Sequence, residues 1–150
     1  YQCAEWRSNK VKPYEFSELV YKIGQFYNSG LLIVEKASAG HTVVDKVRHD
    51  YHYTNMFKYK SYDQKTGKGK RKVGWETTTK SKPIMVNDMQ EMFETGQCLV
   101  NSKDCLQEMK LFELVDGSFK AASGHDDTVM AYAMALQGLK SGQYYFQVGK

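Results

Sequence analysis

The tetrapeptide Gly124-His125-Asp126-Asp127 sets two carboxylates side by side, just ahead of the apolar run Val129 to Leu136. One aspartate there suits a helix cap, and a second suits the positive end of the helix. Adjacent carboxylates also repel, and a cation relieves that repulsion where they are partly buried. Asp127 is preferred over Asp126 as the principal ligand because Ala131 and Ala135 share its helical face. His125 either orients a water or leaving group or is a polar flank. A third carboxylate, Glu35, directly follows Leu31 to Val34. It stands at the C-terminal end of a strand, where ligands gather in α/β sheets. A solvated strand end, or the cap of the next turn, is the plainer alternative.

The opposite charge is concentrated elsewhere. Lys58 to Lys72 holds seven basic residues against Asp63 alone, a balance of +6, in a chain whose net charge is +4. The other 135 residues therefore sum to −2. Such concentration reads as a footprint for a polyanion or as a solvated lysine-rich loop. Lys80, Ser81 and Lys82 before Pro83 can meet phosphate at a helix start, and capping explains them equally well. Cys98 and Cys105, with Cys3 elsewhere, lack the close pairing and neighbouring histidines of a zinc site and read as core or near-core thiols.

These residues need elements to hold them. Length and composition give one folded domain: 150 residues, 41% hydrophobic, 25% charged, 2 Pro and 12 Gly. The apolar runs fall far short of the roughly 20 residues that span a bilayer, so no membrane anchor is expected. Three cysteines and no signal peptide point to a reducing, cytosolic compartment. Tyr1 in place of methionine suggests a chain cut from something longer. Tyr1 to Trp6 reads as a strand, and Pro13 opens an amphipathic helix that Gly30 closes. Leu31 to Val34 reads as a strand buried on both faces, and Val43 to Tyr51 as a helix. Residues 53–79 read as a β-hairpin around a turn-rich stretch from Asp63 to Gly69. Pro83 to Phe93 reads as a helix, Cys98 to Val100 as a strand and Lys103 to Leu111 as a short helix. Phe112 to Ala122 is expected to turn back at Asp116-Gly117, before a last helix from Asp126 to Leu139. The predicted fold is α/β, a mixed sheet with helices on both faces and an inserted basic β-hairpin at about 56–79.

Three ordered motifs carry a resemblance: Leu31-Leu32-Ile33-Val34-Glu35-Lys36-Ala37-Ser38-Ala39-Gly40, Gly74-Trp75-Glu76-Thr77-Thr78-Thr79-Lys80-Ser81-Lys82-Pro83, and Gly124-His125-Asp126-Asp127 with Val129-Met130-Ala131. Together they resemble the nuclease domain of the large terminase subunit of tailed bacteriophages. The resemblance implies that residues 1–150 form a ribonuclease H-like terminase nuclease domain lacking its first strands. It further implies an endonuclease that cuts double-stranded DNA during genome packaging with little sequence specificity, using two Mg2+ or Mn2+ ions. Carried over by motif, Glu35 and Asp127 are the metal ligands, with Asp126 assisting and His125 beside them. Lys65, Lys68, Lys70, Arg71 and Lys72 on the hairpin, with Lys80 and Lys82, are the implied phosphate contacts. The implied partners are the portal protein, the small terminase subunit and an ATPase domain upstream, in the cytoplasm of an infected bacterial host.

The family also uses an aspartate on its first strand, which has no counterpart here. The expectation is that these residues alone bind DNA and a single manganese ion yet cleave poorly. No glycine-rich phosphate loop ending in Lys-Ser or Lys-Thr is present, so the ATPase motor is not part of the chain. A Holliday-junction resolvase and a non-catalytic DNA-binding or docking fragment are the alternatives. The Gly74-Trp75-Glu76-Thr77-Thr78 segment and the long basic hairpin speak against the resolvase.

Overall fold

Pro13 lacks an N–H to lose and has the right φ for a first helical turn, and α1 (Pro13–Phe26) starts on it. Glu15 reaches back to accept the Lys12 N–H at 3.0 Å, and the Ser17 hydroxyl donates to the Pro13 carbonyl at 2.8 Å. The expected stop at Gly30 comes earlier. Asn28 and Ser29 take the left-handed conformation, with φ of 54° and 56°, so the chain reverses on two polar residues. Gly30 instead accepts the Tyr53 hydroxyl on its carbonyl, at 2.5 Å.

The computed structural model describes residues 1–62, 67–115 and 118–142. They divide into two compact units, one of Tyr1–Ser8 with Thr77–Lys140 and the other built on Asn9–Glu76. In the second of these, Phe16, Val20 and Tyr21 of α1 pack on buried Val43, Val44, Val47, Tyr53 and Met56. The helix expected over Val43 to Tyr51 begins at Gly40 as α2 (Gly40–Asp45) and widens into a π-helical turn, Lys46–Asp50. Tyr51, just past the turn, stacks on Tyr21 with ring centroids 4.8 Å apart. β1 (Lys58–Tyr62) and β2 (Gly69–Val73) pair antiparallel, Lys58 opposite Val73 and Tyr62 opposite Gly69. Of the expected turn, residues 63–66, Lys65 among them, lie outside the described residues.

Leu31 to Val34, expected as a strand buried on both faces, is not one. All four residues are only half-buried, and among the described residues the stretch from Leu31 to Glu35 pairs through two isolated parallel bridges, Leu32 with Met56 and Glu35 with Trp75. The apolar run therefore keeps part of its surface in water. Among the described residues the other pairings form two two-stranded antiparallel sheets, and these do not add up to one mixed sheet.

The other unit is an α/β arrangement of α3 (Ser81–Glu94), α4 (Lys103–Lys110), the pair β3 (Phe112–Val115) and β4 (Ser118–Ala121), and α5 (Asp127–Ser141). Met85, Cys105, Val129 and Ala133 are fully buried there. Asp88 of α3 accepts from Gln137 at 2.8 Å and pairs with Lys140 at 2.6 Å, which ties α3 to the end of α5. Tyr1 to Trp6 is not a strand. One backbone bond, Gln2 N–H to the Leu99 carbonyl at 2.9 Å, joins it to the chain, and the Gln2 side chain takes the Asn101 and Ser102 N–H groups. Cys98 to Val100 also forms no strand, since its polar groups are met by such single bonds rather than a ladder. Of the cysteines, Cys105 is a core thiol whose pKa burial pushes up, Cys98 is half-buried, and Cys3 is exposed, contrary to its expected place.

Candidate metal and nucleic-acid site

α5 opens on the acidic pair. The Met130 N–H donates to the Asp126 carbonyl at 2.9 Å, which makes Asp126 the residue before the helix and Asp127 its first member. An aspartate in the Asp126 position ordinarily accepts the next N–H groups with its own carboxylate. Here the cap comes from elsewhere. Glu108 of α4 accepts the Thr128 N–H at 2.9 Å, the Thr128 hydroxyl at 2.5 Å and the Val129 N–H at 3.3 Å, all on Oε2. Its other oxygen, Oε1, pairs with Arg7 at 2.9 Å.

The two aspartates therefore point their charge at other things. Asp126 Oδ2 lies 3.5 Å from Lys82 Nζ, and the Asp127 carboxylate has His125 Nδ1 at 3.9 Å. Their exposure differs: 30% of the Asp126 side chain is accessible and 72% of the Asp127 side chain. Ala131 and Ala135 share the Asp127 face, as expected, but that face is exposed. The buried alanine of the helix is Ala133.

Glu35 is half-buried, and its backbone is clamped from two sides. Trp75 donates to the Val34 carbonyl and accepts from the Lys36 N–H, each at 2.8 Å. Gly40 and Gly74 let the chain come this close. A Cβ on Gly40 would stand 1.7 Å from the Glu35 carbonyl oxygen, and one on Gly74, at φ of 91°, would stand 2.9 Å from the Val34 carbonyl oxygen. The small residues after Glu35 are thus part of what positions it.

In the β1–β2 pair, Lys60 faces Arg71 across the strands, a like-charge juxtaposition that costs stability unless an anion is present. Lys68, Lys70, Arg71 and Lys72 are exposed. On the other face the Tyr59 hydroxyl donates to Glu76 at 2.5 Å, and Lys72 Nζ approaches the same carboxylate at 3.9 Å. Burial, and then this bond, push the Tyr59 pKa up to about 12, while the bond and the Lys72 charge hold the Glu76 carboxyl below its ordinary value. Lys80 is exposed before α3, whose first turn is capped by Thr78: its hydroxyl accepts the Lys80 and Ser81 N–H groups at 3.3 and 3.0 Å. Lys82 is the less exposed of the two, with its ammonium also 5.7 Å above the Phe112 ring.

Among the described residues no three His, Cys, Asp or Glu side chains stand together as a metal cluster. The donor chemistry nonetheless fits a hard divalent cation, because carboxylate oxygens are what Mg2+ and Mn2+ prefer and Mg2+ keeps several waters. Glu108 contacts the start of α5, and Glu76 and Tyr59 contact the basic β1–β2 pair; sequence reasoning assigned none of the three a role. The one available signal for Glu108 was its place three residues after Cys105, on what proves to be the buried side of α4.

A family model described as Terminase RNaseH-like domain matches residues 1–139. No curated protein matches the chain.

Proposed function

Because the chain belongs to the terminase RNaseH-like domain family, we propose that it is a metal-dependent endonuclease domain that cuts double-stranded DNA with little sequence preference during phage genome packaging. The observation that carries this reading is the acidic pair at the start of α5: Glu108 takes the capping role, which leaves Asp127 open to a cation and Asp126 beside it, paired with Lys82. Glu35 and Asp127 would be the principal ligands, with Asp126 assisting. Two bound Mg2+ or Mn2+ ions would supply an activated water and stabilise the leaving oxygen of the phosphodiester. His125, 70% exposed and 3.9 Å from Asp127, would orient a water or the leaving group. The basic β1–β2 pair and Lys80 would hold the DNA backbone through phosphate contacts, which position without reading sequence. The packaging partners of this reading are the portal protein, the small terminase subunit and an ATPase domain.

Plasmid nicking by the protein that carries this domain tests the reading. We expect cleavage in Mg2+ or Mn2+ that a chelator stops, loss of cleavage in Glu35→Ala and in Asp127→Ala, and unchanged far-ultraviolet circular dichroism in both. The double variant should be no worse than either single one, as for residues acting as a unit. Cleavage that survives both the chelator and the substitutions would overturn it.

A further inference from the structure

We propose that Glu108, backed by Arg7, is a positioning residue for the acidic pair: its buried carboxylate caps α5 from outside the helix and thereby keeps Asp126 and Asp127 out of the capping role and oriented for a divalent cation. This rests on the reading of those aspartates as metal ligands.

The first N–H groups of a helix have no partner within it. A carboxylate at the residue before the helix normally takes the second or third of them. In this chain that residue is Asp126, so a local cap is available one side chain away. The structure uses a remote one instead. Glu108 Oε2 receives both the Thr128 and the Val129 N–H, at 2.9 and 3.3 Å, and the Thr128 hydroxyl as well. These are the donors that Asp126 would otherwise engage.

The arrangement is costly by itself. Glu108 is only 9% exposed, and burying a carboxylate is unfavourable unless it is paired and hydrogen-bonded. Every part of it is met: three donors on one oxygen and the Arg7 guanidinium at 2.9 Å on the other. A cap supplied by Asp126 would use a carboxylate that is 30% accessible in place of one almost wholly buried. Capping from α4 therefore does something a local cap does not. It leaves two adjacent aspartates with more accessible carboxylates, and it fixes the turn from which they project. Arg7 also balances the Glu108 charge, so the cap adds little repulsion to the acidic pair beside it.

The test is Mn2+ titration of the protein followed by the electron paramagnetic resonance of the free ion, well below the melting temperature, together with thermal unfolding. The parent and Asp127→Ala are measured first. No Mn2+ binding by the parent, or binding that Asp127→Ala leaves intact, overturns the ligand reading and this inference with it. With the ligand reading standing, Glu108→Ala should weaken Mn2+ binding by about tenfold, the low end of what residues behind metal ligands contribute. In that background Asp126 should take over the cap, so Asp126→Ala should lower the melting temperature more in Glu108→Ala than in the parent. A merely structural Glu108 would lower the melting temperature without moving Mn2+ affinity in the folded protein, and that result overturns the proposal. Should Glu108→Ala not fold, Glu108→Gln, which keeps an acceptor oxygen but not the charge, is expected to weaken Mn2+ binding several-fold. Parent affinity in that folded variant equally overturns it.

Discussion

Asp126 and Asp127 are adjacent in the chain and unequal in their surroundings. Lys82 stands 3.5 Å from the Asp126 carboxylate, and an ammonium there opposes the approach of a second cation. Among the described residues, Asp127 has a histidine at 3.9 Å as its ion-pair neighbour and keeps most of its surface in water. Asp127→Asn should therefore weaken Mn2+ binding on the order of tenfold, and Asp126→Asn should cost less. Lys82→Met should strengthen binding. A titration in which Asp126→Asn is the more damaging change would reverse the assignment. The sequence-based preference for Asp127 rests on a helical spacing of four that aligns it with Ala131 and Ala135, and that alignment is present in α5. The shared face is exposed, so the alignment alone does not press Asp127 against the rest of the unit. Glu108 was illegible for a different reason. A cap from 20 residues away leaves no local spacing to read, whereas Ser102, which accepts the Cys105 N–H three residues on, caps α4 in the ordinary pattern.

At the scale of elements, two short structures do most of the positioning. The clamp around Glu35 depends on Gly40, and the sign of a substitution there separates two effects. Replacing glycine by alanine within a helix usually gains roughly 0.5–1 kcal/mol. At Gly40 the new Cβ meets the Glu35 backbone, so Gly40→Ala should instead lose about 1–3 kcal/mol, read as a lower denaturant midpoint. The basic β1–β2 pair carries the other prediction. Replacing Lys65, Lys68, Lys70, Arg71 and Lys72 with alanine should weaken DNA binding uniformly across sequences and reduce the salt slope by about one unit per lost contact. Unchanged affinity and slope would return the segment to a solvated loop. The helices were legible because their apolar residues recur at three and four, and α1, α3, α4 and α5 lie close to their expected bounds. The extended segments were less so. Leu31 to Val34 has the composition of a buried strand, but bridges at Leu32 and Glu35 alone do not make a ladder, and pairing partners are set by tertiary contacts that composition does not encode.

For the molecule as a whole, the division into two units left no mark in composition: the boundary at Glu76 and Thr77 falls inside one of the recognisable motifs. Each unit nevertheless carries its own titrating contact, and the two lie at opposite ends of the pH scale. Burial alone would raise the Asp88 carboxyl, but the hydrogen bonds from Lys140 and Gln137 and the Lys140 charge outweigh it and hold its pKa below the ordinary value. A depressed carboxylate stabilises the fold above its unfolded pKa, about 3.9, and that contribution is lost as pH falls through the folded value. Tyr59 works the other way. With its pKa pushed up to about 12, its contribution is complete below the unfolded value and is lost as pH rises from there towards 12. Acid should thus weaken the α3–α5 contact, and alkali should weaken the link between β1 and Glu76. Asp88→Asn should flatten the acid limb of a melting-temperature profile and leave the alkaline limb unchanged, while Tyr59→Phe should do the reverse. The two limbs are read in the same protein by the same scan, so a profile in which either variant alters both limbs equally would show that these contacts do not govern the pH range of the fold.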